Sequence, residues 1–249
     1  MNEIENQVFI CLDCEATGLD PSKDRVIEVA ATKFTFKGHI ESFETLINPE
    51  CPIPKISQDI HNISDDMVKE KPLVKDILPD LLNFIKGHII VGHAISFDLT
   101  LLSNEAKRIQ LPCSIHELTS IDTLRLARLY GQSPVNSLEM LRKHFNIQSE
   151  GAHRAMNDVL VNIEVFRHLA KPFKTTNDLL NRMKKPVQLS RMPLGKHKGR
   201  KFDEIPLEYL LWAAKKDFDQ DLSYSIRLEI KNRKKGNQFE QAANPFFSL

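Results

Sequence analysis

Residues 8–18 read VFICLDCEATG and hold two overlapping pairs of reactive side chains. Cys11 and Cys14 form a C-x-x-C pair, the spacing of a soft-metal or redox site, while Asp13 and Glu15 form a D-x-E pair suited to a hard cation. The short apolar run Val8–Leu12 predicts a central strand, and strand side chains alternate between faces. Residues 9, 11, 13 and 15 then share one face, and 10, 12 and 14 the other. The two cysteines point apart and cannot share an ion on a regular strand, and redox pairs of this spacing lie at helix starts. The two carboxylates share a face at the strand end, where Thr17-Gly18 lets the backbone turn away. Cys11 is expected to pack beneath Asp13, with Cys14 facing the other layer.

A D-x-E pair alone is more often a surface pair than a site. Two further stretches change that. Residues 92–98, GHAISFD, place Asp98 in the first turn of a helix directly after a buried strand. Residues 151–158, GAHRAMND, set His153 five residues before Asp158. Helical positions five apart lie about 140° apart, so His153 belongs before the helix, in the Gly151-Ala152 loop.

In that order, DCEATG, HAISFD and HRAMND resemble the motifs of the DEDDh exonuclease family, the group that includes the epsilon (proofreading) subunit of bacterial DNA polymerase III. The resemblance covers roughly residues 7–170. It implies an α/β, ribonuclease H-like mixed sheet with helices on both faces, and 3′→5′ release of nucleotides from DNA. Such hydrolysis uses two divalent cations, Mg²⁺ or Mn²⁺, typically ~3.5–4 Å apart and held by carboxylate oxygens. By this resemblance Asp13, Glu15 and Asp158 hold one ion, Asp13 bridges to the second, and Asp98 contributes directly or through water. His153 is then the general base for the attacking water. The same resemblance brings Ala16, Thr17, His61 and Phe97 to the terminal nucleotide. The alternative readings are that His61 satisfies the loop before a helix and that Phe97 belongs to the core. Cys14 and Ala16 stand where Thr is frequent, Ala94 where Asn is, and Asn62 where Gly is; none is a ligand or the base. Asp122 matches a recurrent Asp-Thr and reads as a helix cap.

Around these residues the chain alternates strand and helix signals. Val26–Phe36 and Ile40–Ile47 read as a hairpin turning at Lys37-Gly38. Ser64 is expected to cap a short helix, a second helix runs from Pro72 to about Lys86 with Gly87 as its stop, and Ile89–Gly92 is a buried strand. Ser96 is expected to cap Phe97–Ile109. A strand ending at Asp122, a helix to Tyr130 and helices over Ser137–Phe145 and Arg154–Leu169 complete the predicted exonuclease domain, 1–172. A linker, 173–190, a small mainly helical basic domain, 191–235, and a flexible tail, 236–249, are expected to follow.

Net charge of +1 conceals an asymmetry. Residues 1–173 hold 18 Lys/Arg against 24 Asp/Glu, residues 174–216 hold 11 against 4, and residues 217–249 hold 5 against 5. A basic stretch after an acidic body suggests a polyanion partner, here single-stranded DNA or RNA 3′ ends. Residues 192–212 resemble a short uncharacterised domain found after such exonuclease domains. Lys196, Lys198, Arg200 and Lys201 flank two glycines there, in a loop suited either to phosphates or to plain packing. Gln241 with Phe246-Phe247 suggests a replication partner such as a sliding clamp, and a DNA polymerase is the other protein partner implied. Four scattered cysteines, a polar N-terminus and no long apolar run predict a cytoplasmic protein with no membrane partner. Two other functions stay open: a ribonuclease trimming RNA 3′ ends, and a nucleic-acid-binding module without catalysis.

Overall fold

The computed structural model describes the backbone of residues 3–133, 135–148, 154–216 and 218–243. It divides into two compact units, Met1–Met183 and Lys184–Leu249. In the first, β1 (Phe9–Ala16), β2 (Val26–Thr35), β3 (Gly38–Leu46), β4 (Ile89–Gly92) and β5 (Ser120–Asp122) form one sheet in the order β3-β2-β1-β4-β5. The three leading strands are antiparallel neighbours, β4 runs parallel to β1, and β5 parallel to β4. β1 runs to Ala16, as the expected turn at Thr17-Gly18 requires, because β2 goes on pairing with it beyond the apolar run, setting Asp13 opposite Ala30 and Glu15 opposite Glu28. The hairpin turn falls at Phe36-Lys37, one residue earlier than expected.

Helices α1 (Lys55–His61), α2 (Asp65–Val68), α3 (Val74–Ile85) and α4 (Ser96–Arg108) follow the hairpin and β4. After β5 come α5 (Thr123–Tyr130), α6 (Leu138–His144), α7 (Ala155–Ala170) and α8 (Thr176–Met183). Apolar residues on both sheet faces need cover. Phe9, Cys11 and Phe34 on one face meet Leu126, Leu141 and Phe166 of α5, α6 and α7. Ile10, Leu12 and Cys14 on the other meet Leu78, Leu81 and Leu102 of α3 and α4. The alternation expected along β1 is therefore what places each cysteine. The Phe9 and Phe166 rings meet edge-on, 5.1 Å between centroids, a contact that adds about 0.5–1.5 kcal/mol to the burial that holds α7 on the sheet.

Several expectations need correcting. Ser64 precedes α2 but makes no side-chain cap, and Ser96 lies inside α4, which starts after Ile95 with no side-chain cap. The expected linker contains α8, whose Leu179 and Met183 are buried in the core of the first unit. The second unit packs α9 (Leu207–Ala213) and α10 (Gln220–Ala243) around Phe202, Ile205, Leu210, Leu222 and Ile226. α10 is helical to Ala243, into the stretch expected to be flexible; residues 244–249, with Phe246-Phe247, lie outside the described residues. Among the described residues, no helix is long and apolar enough to cross a membrane.

Candidate active site

β1 presents Asp13 and Glu15 toward α7, and α7 carries Asp158 in its first turn. One carboxylate oxygen from each of the three lies within 4.8 Å of the others, so they can close on a single ion. The crowding has an electrostatic cost. Burial, and then the charges of Asp98, Glu15 and Asp158, push the Asp13 carboxyl well above its usual range. Burial and the nearby Asp158 and Glu28 push Glu15 up to about 8. A divalent cation is what relieves such a cluster, and the donors are hard oxygens suited to one. The thiols are not: burial first, then the neighbouring carboxylates, raises Cys11 and Cys14, keeping both protonated.

Asp98 reaches the same strand from the opposite helix layer. β4 pairs with β1 only over Phe9–Cys11, which leaves the Cys14 amide without a strand partner on that side. That amide, between Asp13 and Glu15 in sequence, donates to Asp98 Oδ1 at 2.9 Å and so fixes the Asp98 carboxylate against β1. Burial drives Asp98 up to about 7, against the pull of its own helix amide and the Cys14 amide. The turn leading to α4 is tight. A β-carbon on Gly92 would collide with the Ile95 side chain, and Ala94 takes a left-handed φ of 58°. Asp122 holds that strained residue by accepting from the Ala94 amide at 3.0 Å, and also caps α5 through Leu124 at 2.9 Å. The cap was expected; the support of Ala94 was not. Asn62 has a left-handed φ of 59° where the family usually has Gly, a conformation Asn tolerates better than most residues.

Two buried glutamates that sequence reading passed over fasten the helices that carry Asp98 and Asp158. Glu105 of α4, 1% exposed, accepts from Arg25 Nε at 2.9 Å, from Arg108 Nη1 at 2.9 Å and from the Val26 amide at 3.2 Å. Glu28 of β2, also 1% exposed, accepts from Arg154 Nη2 at 2.6 Å and from the Ala155 amide at 3.0 Å, where α7 begins. No local pattern marks Glu28, whose partners lie 126 and 127 residues away, and of the partners of Glu105 only Arg108 is local, Arg25 and Val26 lying 80 and 79 residues away.

The expected substrate residues fare unequally. Thr17 is 4% exposed, and its hydroxyl donates to Asp24 at 3.0 Å and accepts from the Arg25 amide at 3.0 Å. Its carbonyl accepts from Ser57 Oγ at 2.7 Å. Thr17 thus joins the end of β1 to α1 and to the loop at Asp24-Arg25. His61, at the C-terminal end of α1, is buried, and its Nδ1 accepts from the Ile63 amide at 3.0 Å. Ala16 and Phe97 are half-buried, with Phe97 packed on the α3–α4 side of the core. Leu19, not singled out from sequence, is 88% exposed just after the Thr17-Gly18 turn. His153 and the Gly151-Ala152 loop lie outside the described residues, directly before Arg154. In the second unit Lys196, Lys198, Arg200 and Lys201 are all exposed.

The architecture has solved counterparts. Exonuclease X in complex with 5′ overhanging duplex DNA aligns with a TM-score of 0.56 over 71% of this chain and 99% of that one, at 22% identity. E. coli exonuclease I in complex with a dA16 oligonucleotide aligns with a TM-score of 0.62 over 72% of this chain and 43% of that one, at 20% identity. These likenesses establish the ribonuclease H-like exonuclease fold. In sequence, the chain is 35% identical to the DNA polymerase III subunit epsilon of Treponema pallidum over 166 residues, 65% of this chain and 76% of the relative. It is also 35% identical to the PolC-type DNA polymerase III of Caldanaerobacter subterraneus over 64% of this chain, but spans only 11% of that relative's length. Residues 181–231 match a family described as a putative quorum-sensing-regulated virulence factor. The exonuclease family of the RNase T type matches residues 10–166, a span that begins inside β1 and ends inside α7 and so takes in all four carboxylates. The chain belongs to that exonuclease family.

Proposed function

We propose that this chain removes nucleotides one at a time from the 3′ end of DNA by hydrolysing the terminal phosphodiester. The observation that carries this reading is the convergence of Asp13, Glu15 and Asp158 within 4.8 Å at the end of β1. In this reading the three carboxylates, with Asp98 directly or through water, hold two divalent cations, Mg²⁺ or Mn²⁺. Bound there, such ions activate a water and neutralise charge on the leaving 3′ oxygen. His153, directly before Arg154 in sequence, takes the proton from the attacking water. Ala16 and Phe97 line the place of the terminal nucleotide beside His61, and the exposed Leu19 offers an apolar surface to a base. Lys196, Lys198, Arg200 and Lys201 hold the polymer by its phosphates. A DNA polymerase is the protein partner that the relatives' names suggest.

The test is a time course with single strands carrying a 5′ label, as DNA and as RNA, in Mg²⁺, in Mn²⁺ and in EDTA. A ladder shortening from the 3′ end, abolished by EDTA and by Asp13→Asn, is expected with DNA. A ladder with RNA alone would make the chain a ribonuclease. Binding without cleavage of either strand would refute the catalytic reading.

A further inference from the structure

We infer that the second unit carries a stacking platform for the bases of single-stranded nucleic acid, built from Trp212 and Tyr209 of α9 beside the basic loop. Residues 192–200 close on themselves. The Gly199 amide donates to the Met192 carbonyl at 2.8 Å, and the Met192 amide to the Arg200 carbonyl at 2.9 Å. Gly195 and Gly199 take φ values of +73° and +83°, and a β-carbon on Gly195 would come within 2.9 Å of Tyr209 Oη. The loop therefore lies against α9. Its His197 turns inward, 8% exposed, and meets the Tyr209 ring edge-on with centroids 4.5 Å apart. The Tyr209 ring lies 5.3 Å from Trp212, and Lys216 Nζ lies 5.1 Å from the Trp212 centroid.

Packing accounts for Leu210 and Ala213 of α9, which are buried in the core of this unit. It does not account for Trp212, the chain's single tryptophan, which is 51% exposed. Charge indicates the occupant. The exposed ring sits between Lys196 and Lys198 of the loop and Lys215-Lys216 in sequence, all four exposed, while α9 itself has one carboxylate, Glu208. An open indole with the Lys216 ammonium group over it, next to a basic loop, suits a polymer with flat apolar faces and a negative backbone. A lipid headgroup layer offers no planar faces for the ring to stack on.

This inference rests on the reading that the chain engages nucleic acid, and its test separates the two. Emission from the sole tryptophan reports on this surface alone. With full-length protein in EDTA, a single-stranded dT oligonucleotide should quench that emission saturably, and an abasic strand of equal length should quench far less. Trp212→Ala should bind labelled dT about tenfold more weakly, the loss of one base stack, while Trp212→Phe keeps most of the affinity. Hydrolysis of a small chromogenic phosphodiester, too short to reach beyond the catalytic carboxylates, should be unchanged in both variants. If Trp212→Ala binds dT as wild type does while Lys196→Ala with Lys198→Ala weakens binding, the platform is refuted and the basic loop stands. If neither variant alters binding, both ideas fall.

Discussion

Glu28 and Arg154 are 126 residues apart in sequence, yet Oε1 of one lies 2.6 Å from Nη2 of the other, against the first residue of the helix that carries Asp158. The pair does two things for the carboxylate cluster. It fixes where α7 starts, and it keeps the Arg154 charge occupied, although that charge already pulls Glu15 downward. Glu28→Gln should free the guanidinium to compete with a cation for Glu15. The half-saturating Mn²⁺ concentration for cleavage should rise about tenfold or more. An unchanged metal titration alongside a lowered melting temperature would reduce the pair to a purely structural role.

Asp13→Asn should separate activity from stability. Cleavage should fall at least about a thousandfold, the scale of losing a group central to charge stabilisation. The metal-free protein should nonetheless gain about 1 kcal/mol or more, because a buried carboxyl raised by its neighbours is replaced by a neutral amide. Urea melts in EDTA measure the gain, and Mn²⁺ should stabilise this variant much less than wild type.

The pH dependence follows from Glu15, raised from 4.5 to about 8, and Asp98, raised from 3.8 to about 7. A carboxyl raised in the folded state supports folding while protonated, and that support drains away as pH climbs through the folded value. The contribution is full below about pH 4 and gone by about pH 9. Melting temperatures in EDTA should decline over the upper part of this window, and saturating Mn²⁺ should restore them most at its alkaline end. If Glu15→Gln leaves the decline as steep as in wild type, the assignment to this cluster is wrong.

Truncation tests the boundary of the first unit. A chain ending at Met183 should remain folded, whereas one ending at Pro172 should lose several kcal/mol with the burial of Leu179 and Met183. The shorter chain also lacks the Lys174 carbonyl that accepts from the Ile4 amide at 3.1 Å, and the Met183 carbonyl that accepts from Arg125 at 2.8 Å. Circular dichroism melts of the two truncations decide it; equal stability would return α8 to a linker role.

Replacing Cys11 and Cys14 together by Ser should leave metal-dependent cleavage within about threefold of wild type. Stability should fall by about 1–3 kcal/mol for each hydroxyl buried without a good partner. Loss of cleavage with the fold intact would restore a role for the thiols.

How far the sequence carries depends on the range of the interaction. Period two along β1 separates the cysteines and unites Asp13 with Glu15 with no tertiary information. The GHAISFD stretch likewise puts Asp98 at the start of α4. Glu28 was illegible, because within VIEVAAT it is one polar letter in a strand, and its partners are supplied by a distant helix. α8 was missed for a related reason: a short polar helix is recognisable only by the core it closes. The anchoring of Thr17 was illegible, because its hydroxyl meets Asp24 and Arg25 through a loop whose path the sequence does not trace.

β2 contributes none of the four carboxylates, yet the helices that carry Asp98 and Asp158 are both secured to it. Glu105 of α4 takes the Val26 amide where β2 begins, and Glu28 within β2 takes the start of α7. One strand therefore serves as the datum from which both outlying carboxylates are measured. The connections between these elements can change in length or composition without altering the spacing of Asp98 and Asp158 about β1. Tolerance to variation in those connections, and intolerance to any change that shifts β2 by a single residue, is the pattern such a datum imposes.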